Sequence, residues 1–229
     1  MRFQRLEALI GTTKLHQLQN KTVLVCGVGG VGSYACEALA RSGIGHIILV
    51  DNDIVDITNI NRQIIALEST LKQPKVSVMM KRILDINPIA KVTPLQFYID
   101  ESTIESLLNQ KIDYVIDAID SVPSKCLLIT SCTQKNIPVI ASMGFALKMH
   151  PEKIELTTLD KTEMDPLAKE IRYRLRKAGI NLKIPVVYSK EQPLKSQIDS
   201  VKLGSTAFVP PSAGLMLASY VINQFITED

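Results

Sequence analysis

The sequence predicts an α/β fold, with a doubly wound, mainly parallel sheet and an appended C-terminal α/β extension. Short apolar runs rich in β-branched residues alternate with segments of helical periodicity through residues 1–145, which is typical of parallel βαβ units. The first apolar run ends in a glycine-rich segment, residues 27–32, that opens a helix. Glycines at this junction are typical of a Rossmann-type sheet, so we classify the fold as Rossmann-type.

The predicted elements of the first half alternate regularly. Its strands are residues 22–28, 46–51, 92–97, 113–120 and 138–143, and its helices are residues 14–20, 30–42, 75–87 and 124–135. The polar stretch 52–63 forms a long loop, which compact domains usually keep for function. We therefore expect a functional element in that loop.

The second half has a different rhythm. Its predicted elements are a strand over 154–159, an amphipathic helix over 166–178, short strands over 186–188 and 207–209, and an apolar terminal helix over 213–225. Leu167, Ile171 and Leu175 form the buried face of the amphipathic helix. Gly144 lies where the chain leaves the first half, and we expect a hinge there.

Length and composition agree with one soluble domain. The chain has 229 residues, 46% of them hydrophobic and 21% charged, which is enough for a full core. We treat residues 1–229 as a single domain with a nucleotide-binding core over 1–145 and a substrate-side extension with a terminal helix over 146–229. No apolar run approaches the roughly 20 residues of a membrane span, and residues 1–5 lack the apolar stretch that is typical of a signal peptide. We expect a cytoplasmic protein.

The four cysteines do not indicate a metal site or disulfides. Cys26, Cys36, Cys126 and Cys132 fall inside predicted strands or helices, and no CxxC pair occurs. We expect core positions for them. The net charge of +3 is too small to indicate nucleic-acid binding by itself.

The glycine segment has the residues of a phosphate-binding loop. Gly27, Gly29, Gly30 and Gly32 match G-x-G-x-x-G between a strand and a helix, so backbone amides and the positive helix end can bind phosphate. Asp51 ends the next strand 19 residues after Gly32, about where an acidic residue binds a ribose hydroxyl in such folds. A nicotinamide dehydrogenase would explain these residues equally well.

Further polar residues favour a triphosphate over a dinucleotide. The additional cofactor-binding candidates are Asp53, Asn59, Asn61, Arg62, Gln63 and Lys75. A triphosphate needs fixed cations and a metal, whereas backbone amides largely satisfy a pyrophosphate. Arg62 and Lys75 can supply the cations, and Asp120, at the end of its predicted strand, can bind Mg²⁺. Each of these three residues alone could also be a solvated or helix-capping residue. For Asn59 and Asn61, bonds to phosphate and to their own loop both stay open.

Several motifs follow one another in a familiar order. They are the glycine motif, Asp51-x-Asp53, Asn59-x-Asn61-Arg62-Gln63, Gln73-Pro74-Lys75, and Asp117-x-x-Asp120 followed by Lys125. With them, residues 1 to about 145 resemble the adenylation domain of ubiquitin-activating enzymes and of the bacterial molybdopterin and thiamine sulfur-carrier adenylyltransferases. The resemblance implies ATP and Mg²⁺ as cofactors, with Arg62, Lys75 and Asp120 as catalytic residues. It also implies a homodimer in which Arg5 reaches the ATP phosphates of the partner subunit. Lys125 would lie either over the nucleotide or on a helix surface.

Motifs in the second half of the chain indicate which group of these enzymes the sequence resembles. Residues 165–168, the basic run 169–177, Gly204-Ser205 and residues 208–210 are similar to those of the tRNA threonylcarbamoyladenosine dehydratases. This resemblance implies tRNA as substrate and ATP-dependent dehydration of its threonylcarbamoyladenosine through a carboxyl-adenylate, with release of AMP and pyrophosphate. Three basic residues, Lys169, Arg172 and Arg176, share a helical face that could contact RNA, with Tyr173 near for stacking. Basic helix faces are also commonly just solvated.

Other functions stay open. An adenylyltransferase that activates the terminal Gly-Gly of a sulfur-carrier protein would use the same ATP residues, but no CxxC pair and no cysteine beyond Cys132 are present. Their absence also counts against a transthiolation step. A non-catalytic scaffold would bind ATP without pyrophosphate exchange. The sequence does not identify a surface for a sulfur-relay protein partner.

Overall fold

The computed structural model describes residues 2–201 and 203–227, which fold around one seven-stranded sheet. The strands are β1 (Thr22–Cys26), β2 (His46–Val50), β3 (Lys91–Leu95), β4 (Tyr114–Asp117), β5 (Val139–Ser142), β6 (Ile154–Thr158) and β7 (Pro185–Ser189). Their order across the sheet is β3-β2-β1-β4-β5-β7-β6. All neighbours pair in parallel except β6 and β7, which are antiparallel. The predicted doubly wound, mainly parallel sheet is confirmed.

Helices cover both faces of this sheet. They are α1 (Gln4–Ile10), α2 (Thr12–Gln19), α3 (Gly32–Arg41), α4 (Lys75–Ile86), α5 (Ile104–Leu108), α6 (Val122–Gln134), α7 (Pro166–Lys177) and α8 (Val209–Thr227). Successive residues of a strand point to opposite faces. Val23 and Val25 of β1 therefore pack with α3, α4 and α8, and Leu24 and Cys26 with α5, α6 and α7. Every residue of β1 is buried, as is typical of a central parallel strand.

The turn after β1 requires glycine. Gly27 has a φ of +88°, and a Cβ there would lie 2.6 Å from the carbonyl oxygen of Ala118. A Cβ on Gly32 would lie 1.8 Å from the carbonyl oxygen of Gly27. The missing side chains thus let β1 turn sharply into α3 next to the end of β4.

The C-terminal helix is longer than predicted, and the strand predicted over 207–209 is wrong. The chain bends there, and α8 begins at Val209 rather than at Ala213. Thr206 Oγ1 accepts a hydrogen bond from the Val209 amide at 3.2 Å. Pro210 and Pro211 fit in the first turn because the amide hydrogens that they lack have no partner within the helix.

Two short α-helices were not predicted, and several strands are shorter than predicted, β4 most clearly. The helices α1 and α5 have 7 and 5 residues, too few for a clear periodicity. Strand β4 ends at Asp117, before the predicted end at residue 120. The Asp117 carboxylate accepts a hydrogen bond from the Ile119 amide at 3.0 Å, which turns the chain out of the sheet.

The C-terminal extension continues the same sheet. Strand β7 pairs with β5, and β6 adds the outer edge. The division at residues 145 and 146 stays a prediction. The Gly144 amide donates a hydrogen bond to buried Asp165 Oδ2 at 2.9 Å, which argues against a hinge at Gly144. No helix among the described residues has both the length and the apolar character needed to cross a membrane.

Candidate active site

A cavity of about 580 Å³ lies at the carboxyl ends of the central strands. The predicted site residues that line it are Gly27, Gly29, Gly30, Asp51, Asp53, Asn59, Arg62, Gln63, Lys75 and Asp120. The residues that do not line it are Arg5, Gly32, Asn61, Lys169, Arg172 and Arg176. The fold thus brings most of the predicted nucleotide-binding residues to one place, where open α/β sheets bind their ligands.

Asp51 joins the glycine loop to the polar loop after β2. Its Oδ2 accepts a hydrogen bond from the Val28 amide at 2.6 Å, and its Oδ1 accepts one from the Asp53 amide at 2.8 Å. The pKa of Asp51 lies above its ordinary value because burial outweighs the nearby Lys75 and these amide donors. The carboxylate is therefore held in a fixed position at the cavity wall.

Lys75 provides a buried cation at the same wall. Its Nζ lies 2.7 Å from Asp53 Oδ2, and its amide donates to the Asp53 carbonyl at 3.1 Å. The Lys75 side chain is 6% exposed, whereas that of Asp53 is 56% exposed. The ammonium group of Lys75 therefore lies at the cavity wall, close to the path of an anion that enters the cavity.

The loop of residues 57–63 is shaped by its own hydrogen bonds. Asn59 Oδ1 accepts from the Asp56 amide at 3.1 Å and closes a short 3₁₀ turn. Arg62 Nη1 donates to the Thr58 carbonyl and to Asn61 Oδ1, both at 2.9 Å. Both asparagines thus serve their own loop. Only Asn59 also lines the cavity.

Gln63 presents an unsatisfied polar atom. It is 6% exposed, and its Oε1 is buried without a hydrogen-bond partner in the described part of the chain. Buried polar atoms in native proteins nearly always have a partner. Because Gln63 lines the cavity, this oxygen fits a polar ligand that donates a hydrogen bond.

Asp120 is the carboxylate that fits a metal. It is exposed, lines the cavity, and has no hydrogen bond or ion pair to any residue that the structure describes. The described residues hold no group of three or more His, Cys, Asp or Glu side chains that could bind a metal ion. Mg²⁺ needs no such cage, because it usually takes one or two carboxylates together with phosphate oxygens and water. The donor set therefore fits magnesium bound with a phosphate ligand.

The expectation for Lys125 is wrong, since it lies neither over the cavity nor on a helix surface. Its side chain has no exposed area, and Nζ lies 2.8 Å from Asp117 Oδ2, which is also fully buried. Lys125 shares the buried face of α6 with Leu128, Ile129 and Cys132, at the spacing of a helix face that packs on a sheet. It therefore belongs to the core below the cavity.

Sequence reasoning missed a buried ion pair that lines the cavity, Lys148 and Asp165. Lys148 Nζ lies 3.4 Å from Asp165 Oδ2 and donates to the Ser189 carbonyl at 3.0 Å. Burial lowers the pKa of Lys148, although Asp165 opposes this. Asp165 also caps α7, because its Oδ1 accepts from the Ala168 amide at 2.9 Å. The Asp-Pro pair before an apolar periodicity was a signal for this cap. No sequence pattern around Lys148 indicated its place in this ion pair.

The basic face of α7 begins beside the cavity, since Pro166 and Leu167 line it. Lys169 and Arg176 are exposed. Arg172 is half-buried and donates from Nη1 to the Thr162 carbonyl at 2.8 Å and to the Thr162 hydroxyl. Lys169 and Arg176 therefore face solvent, whereas Arg172 is held against Thr162.

Arg5 is exposed on α1 and does not line the cavity of its own chain. Arg2 Nη1, near the start of α1, donates to the carbonyl of Ile86 at 2.8 Å. Ile86 ends α4, whereas Lys75 begins α4 at the cavity. The start of α1 thus lies at the opposite end of the sheet from the cavity.

The cysteines are poor nucleophiles. Cys26, Cys36 and Cys132 are buried, and Cys126 is half-buried. Burial raises the pKa of Cys132 to about 12 and also raises that of Cys126. A reactive cysteine needs a thiolate and hence a lowered pKa. The pKa of these thiols is instead raised by burial.

Comparison with known proteins assigns the family. The ThiF family matches residues 3–164, well over half of the chain. The chain belongs to the ThiF family. All the predicted nucleotide-binding residues of this ThiF-family chain fall within the matched range.

Similar proteins align with this ThiF-family chain over almost its whole length. It is 44% identical to the tRNA threonylcarbamoyladenosine dehydratase of Bacillus subtilis (strain 168), over 99% of this chain and 95% of that protein. Two crystal structures of the E. coli tRNA N6-threonylcarbamoyladenosine dehydratase, TcdA, are 35% identical and cover 99% of this chain and 94% of theirs. The complex with AMP has a TM-score of 0.94 and the complex with ATP one of 0.93. The resemblance therefore includes the C-terminal extension.

Proposed function

We propose that the protein is a tRNA threonylcarbamoyladenosine dehydratase, which uses Mg-ATP to cyclise the modified nucleoside through a carboxyl-adenylate. The observation that carries the proposal is one cavity in which two cations, Arg62 and Lys75, surround the glycine loop together with Asp120, a carboxylate without a partner among the described residues. The identity to the B. subtilis dehydratase over nearly the full length of both chains supports it. The E. coli complexes with ATP and AMP support the choice of nucleotide.

ATP binds along the glycine loop in this proposal. Helix α3 begins at Gly32 and points its positive end at the loop, which favours phosphate. Asp51 accepts the ribose hydroxyls. The unsatisfied Gln63 Oε1 accepts a further hydrogen bond from the nucleotide. Arg62 and Lys75 offset the charge of the phosphates.

Asp120 would hold Mg²⁺ beside the phosphates. The ion, when bound, would supply Lewis-acid stabilisation of the developing phosphate charge. The free carboxylate of Asp120 fits this role, because a carboxylate beside phosphates is repulsive without a cation. Its lack of a partner among the described residues leaves it available.

The chain supplies positioning and charge stabilisation, and no protein nucleophile is needed. The carboxylate of the threonylcarbamoyl group attacks the α-phosphate of ATP, and pyrophosphate leaves. The acyl-adenylate is then captured by an atom of the same side chain, which closes a ring and releases AMP, so the nucleoside loses one water. Arg62 and Lys75 stabilise the charge that gathers on the reacting phosphate and the leaving group. The raised pKa values of the cysteines agree with a route that bypasses them.

The tRNA lies along α7 in this proposal. Lys169 and Arg176 bind its backbone, and the exposed ring of Tyr173 is available for stacking. Arg172 takes part only if it leaves Thr162. The active unit is a homodimer in which Arg5 reaches the cavity of the partner subunit, which its distance from its own cavity supports. A cytoplasmic location and a sulfur-relay partner stay predictions.

The deciding experiment measures release of AMP and pyrophosphate from Mg-ATP. Bulk bacterial tRNA that carries threonylcarbamoyladenosine is compared with tRNA that lacks the modification. We expect release only with the modified tRNA, together with loss of one water from the nucleoside by mass spectrometry. If neither tRNA causes release of AMP and pyrophosphate, but a small protein that ends in Gly-Gly does, the result would instead establish a sulfur-carrier adenylyltransferase.

A further inference from the structure

One wall of the cavity is an irregular segment that follows β7. We call residues 190–201 and 203–206 the overhanging segment; they contain no helix or strand. Pro193, Leu203 and Ser205 of this segment line the cavity. Leu203 is nevertheless 71% exposed, and Leu194 is 53% exposed. The segment thus covers the cavity while much of its own apolar surface faces solvent.

The overhanging segment is anchored at its start, where the Lys190 amide donates to the Lys153 carbonyl at 3.0 Å and buried Glu191 accepts from the Met149 and His150 amides, both at 2.9 Å. Beyond residue 191, few hydrogen bonds hold the segment to the rest of the protein. The Leu194 amide donates to the Leu147 carbonyl at 2.7 Å, and the Leu147 amide donates to the Gly204 carbonyl at 2.8 Å. Ser196 bonds only within the segment, to the carbonyls of Ile198 and Val201. Low contact density and exposed backbone are features of segments that open at low free-energy cost.

Asn61 joins this segment to Arg62, within the loop of residues 57–63. Its Nδ2 donates to the Ser205 carbonyl at 3.1 Å, across 144 positions of sequence. Its Oδ1 accepts from Arg62 Nη1 at 2.9 Å. One side chain therefore contacts both the segment and the guanidinium, although Asn61 itself does not line the cavity.

We propose that Asn61 is a positioning residue that couples closure of the overhanging segment to the orientation of Arg62. The amide group of asparagine has one donor side and one acceptor side, and here each is used on a different partner. An Asn61 rotated away from Ser205 would also lose its geometry toward Arg62, which would then be held by Thr58 alone. The inference rests on the proposed function and adds a link between the substrate side and the ATP side of the site.

This link predicts reciprocal behaviour. Suppose that phosphate bound at Arg62 favours the Asn61 conformation that bonds to Ser205. A substrate that stabilises the same conformation by contacting the segment must then favour phosphate binding by the same free energy. ATP alone should therefore stabilise the overhanging segment. The modified tRNA, by contacting Pro193 or Leu203, should in turn align Arg62 for the reaction.

Two substitutions separate the two bonds of Asn61. Asn61→Ala removes both, whereas Asn61→Asp keeps an acceptor for Arg62 and loses the donor to Ser205. We expect Asn61→Ala to lower kcat for AMP release about 10-fold to 100-fold, as small misplacements of a catalytic group do. Asn61→Asp should keep most of kcat but raise KM for tRNA. Asn223→Ala, on the exposed side of α8, is the control and should match the wild type.

Hydrogen exchange gives a readout that does not depend on the tRNA reaction. Amide exchange of residues 191–201 is followed with and without saturating Mg-ATP, in the absence of tRNA. We expect ATP to slow exchange in the wild type and in Asn223→Ala, and to have no effect in Asn61→Asp or Asn61→Ala at saturating nucleotide.

The outcomes are distinct. Protection by ATP in the Asn61 variants, or its absence in the wild type, would overturn the coupling. Unchanged kcat and KM in Asn61→Ala would do so as well. If the wild type gives no AMP with modified tRNA, the proposed function fails, and the exchange data still decide the role of Asn61.

Discussion

Lys125 Nζ lies 2.8 Å from Asp117 Oδ2, and neither side chain has any exposed area. Asp117 ends β4, directly before the turn that carries Asp120 to the cavity, and Lys125 lies on α6, after that turn. Removing two charges from water is costly, and their attraction offsets this cost only while both are present. The base of the candidate metal-binding turn therefore depends on a complete ion pair.

Removal of the cation alone should destabilise the protein strongly. In Lys125→Met, Asp117 keeps a buried charge without its partner, and we expect the free energy of unfolding to fall by about 3–5 kcal/mol. Urea denaturation measures the loss. Lys135→Met, which breaks a more exposed pair with Glu105, is the control and should cost less than about 1 kcal/mol. The double variant Lys125→Met with Asp117→Asn should recover part of the stability, and equal losses in Lys125→Met and Lys135→Met would contradict the prediction.

Lys75 should matter for the reaction more than for the fold. We expect Lys75→Ala to lower AMP release by about 10²-fold to 10³-fold, as removal of one preorganised charge-stabilising group does. Its partner Asp53 is largely exposed and can be solvated by water. Lys81→Ala, on the exposed side of the same helix, is the matched control. A similar small loss in both variants would remove Lys75 from the phosphate site.

Asp120 should be needed for turnover but not for stability. Asp120→Ala is expected to lower AMP release by at least about 10²-fold and to leave the thermal midpoint unchanged, because the side chain is exposed and unpaired among the described residues. Asp120→Asn should need more magnesium for half-maximal rate. Glu101→Ala, exposed in the loop after β3, serves as control. Unchanged turnover in Asp120→Ala would exclude it as the metal ligand.

The thiol of Cys126 should be dispensable. It is the least buried cysteine of the chain, and burial raises its pKa, so it holds little thiolate at neutral pH. We expect Cys126→Ser to keep AMP release within about twofold of the wild type. Loss of turnover together with a normal unfolding curve would point to covalent catalysis instead.

The basic face of α7 should bind tRNA through its charge. The double variant Lys169→Ala and Arg176→Ala should raise KM for tRNA and reduce the slope of log affinity against log salt, by about 0.7 for each lost phosphate contact. Lys14→Ala with Lys111→Ala removes the same charge from exposed positions on α2 and before β4. Equal effects of the two double variants would indicate a general charge effect and no site on α7.

The parts of the fold that were predictable are those in which local pattern and burial agree. Strand β1 is buried at every position, and its apolar, β-branched sequence also predicts a buried strand. The strand predicted over 207–209 was wrong because its apolar residues serve the start of a helix, and a three-residue run cannot distinguish the two. Helix α5, with 5 residues, is too short to show a period.

The site was predictable where residues follow the glycine motif at known distances. Lys125 was not, because a lysine on a predicted helix looks the same in the sequence whether it faces water or a buried aspartate. Lys148 contacts Asp165 and Ser189 across 17 and 41 positions, and no local pattern encodes such contacts. For Asn61, one amide serves two partners, and only the fold shows which ones.

The docking of α8 on α3 has a consequence for biosynthesis. A Cβ on Gly214 would lie 2.2 Å from the carbonyl oxygen of Val31, and one on Gly30 would lie 3.3 Å from Pro210 Cβ. The wall of the phosphate loop is thus completed by a helix that leaves the ribosome after every strand of the sheet. A nascent chain can form β1 and the glycine turn early, but the nucleotide site is complete only after α8 has emerged and docked on α3.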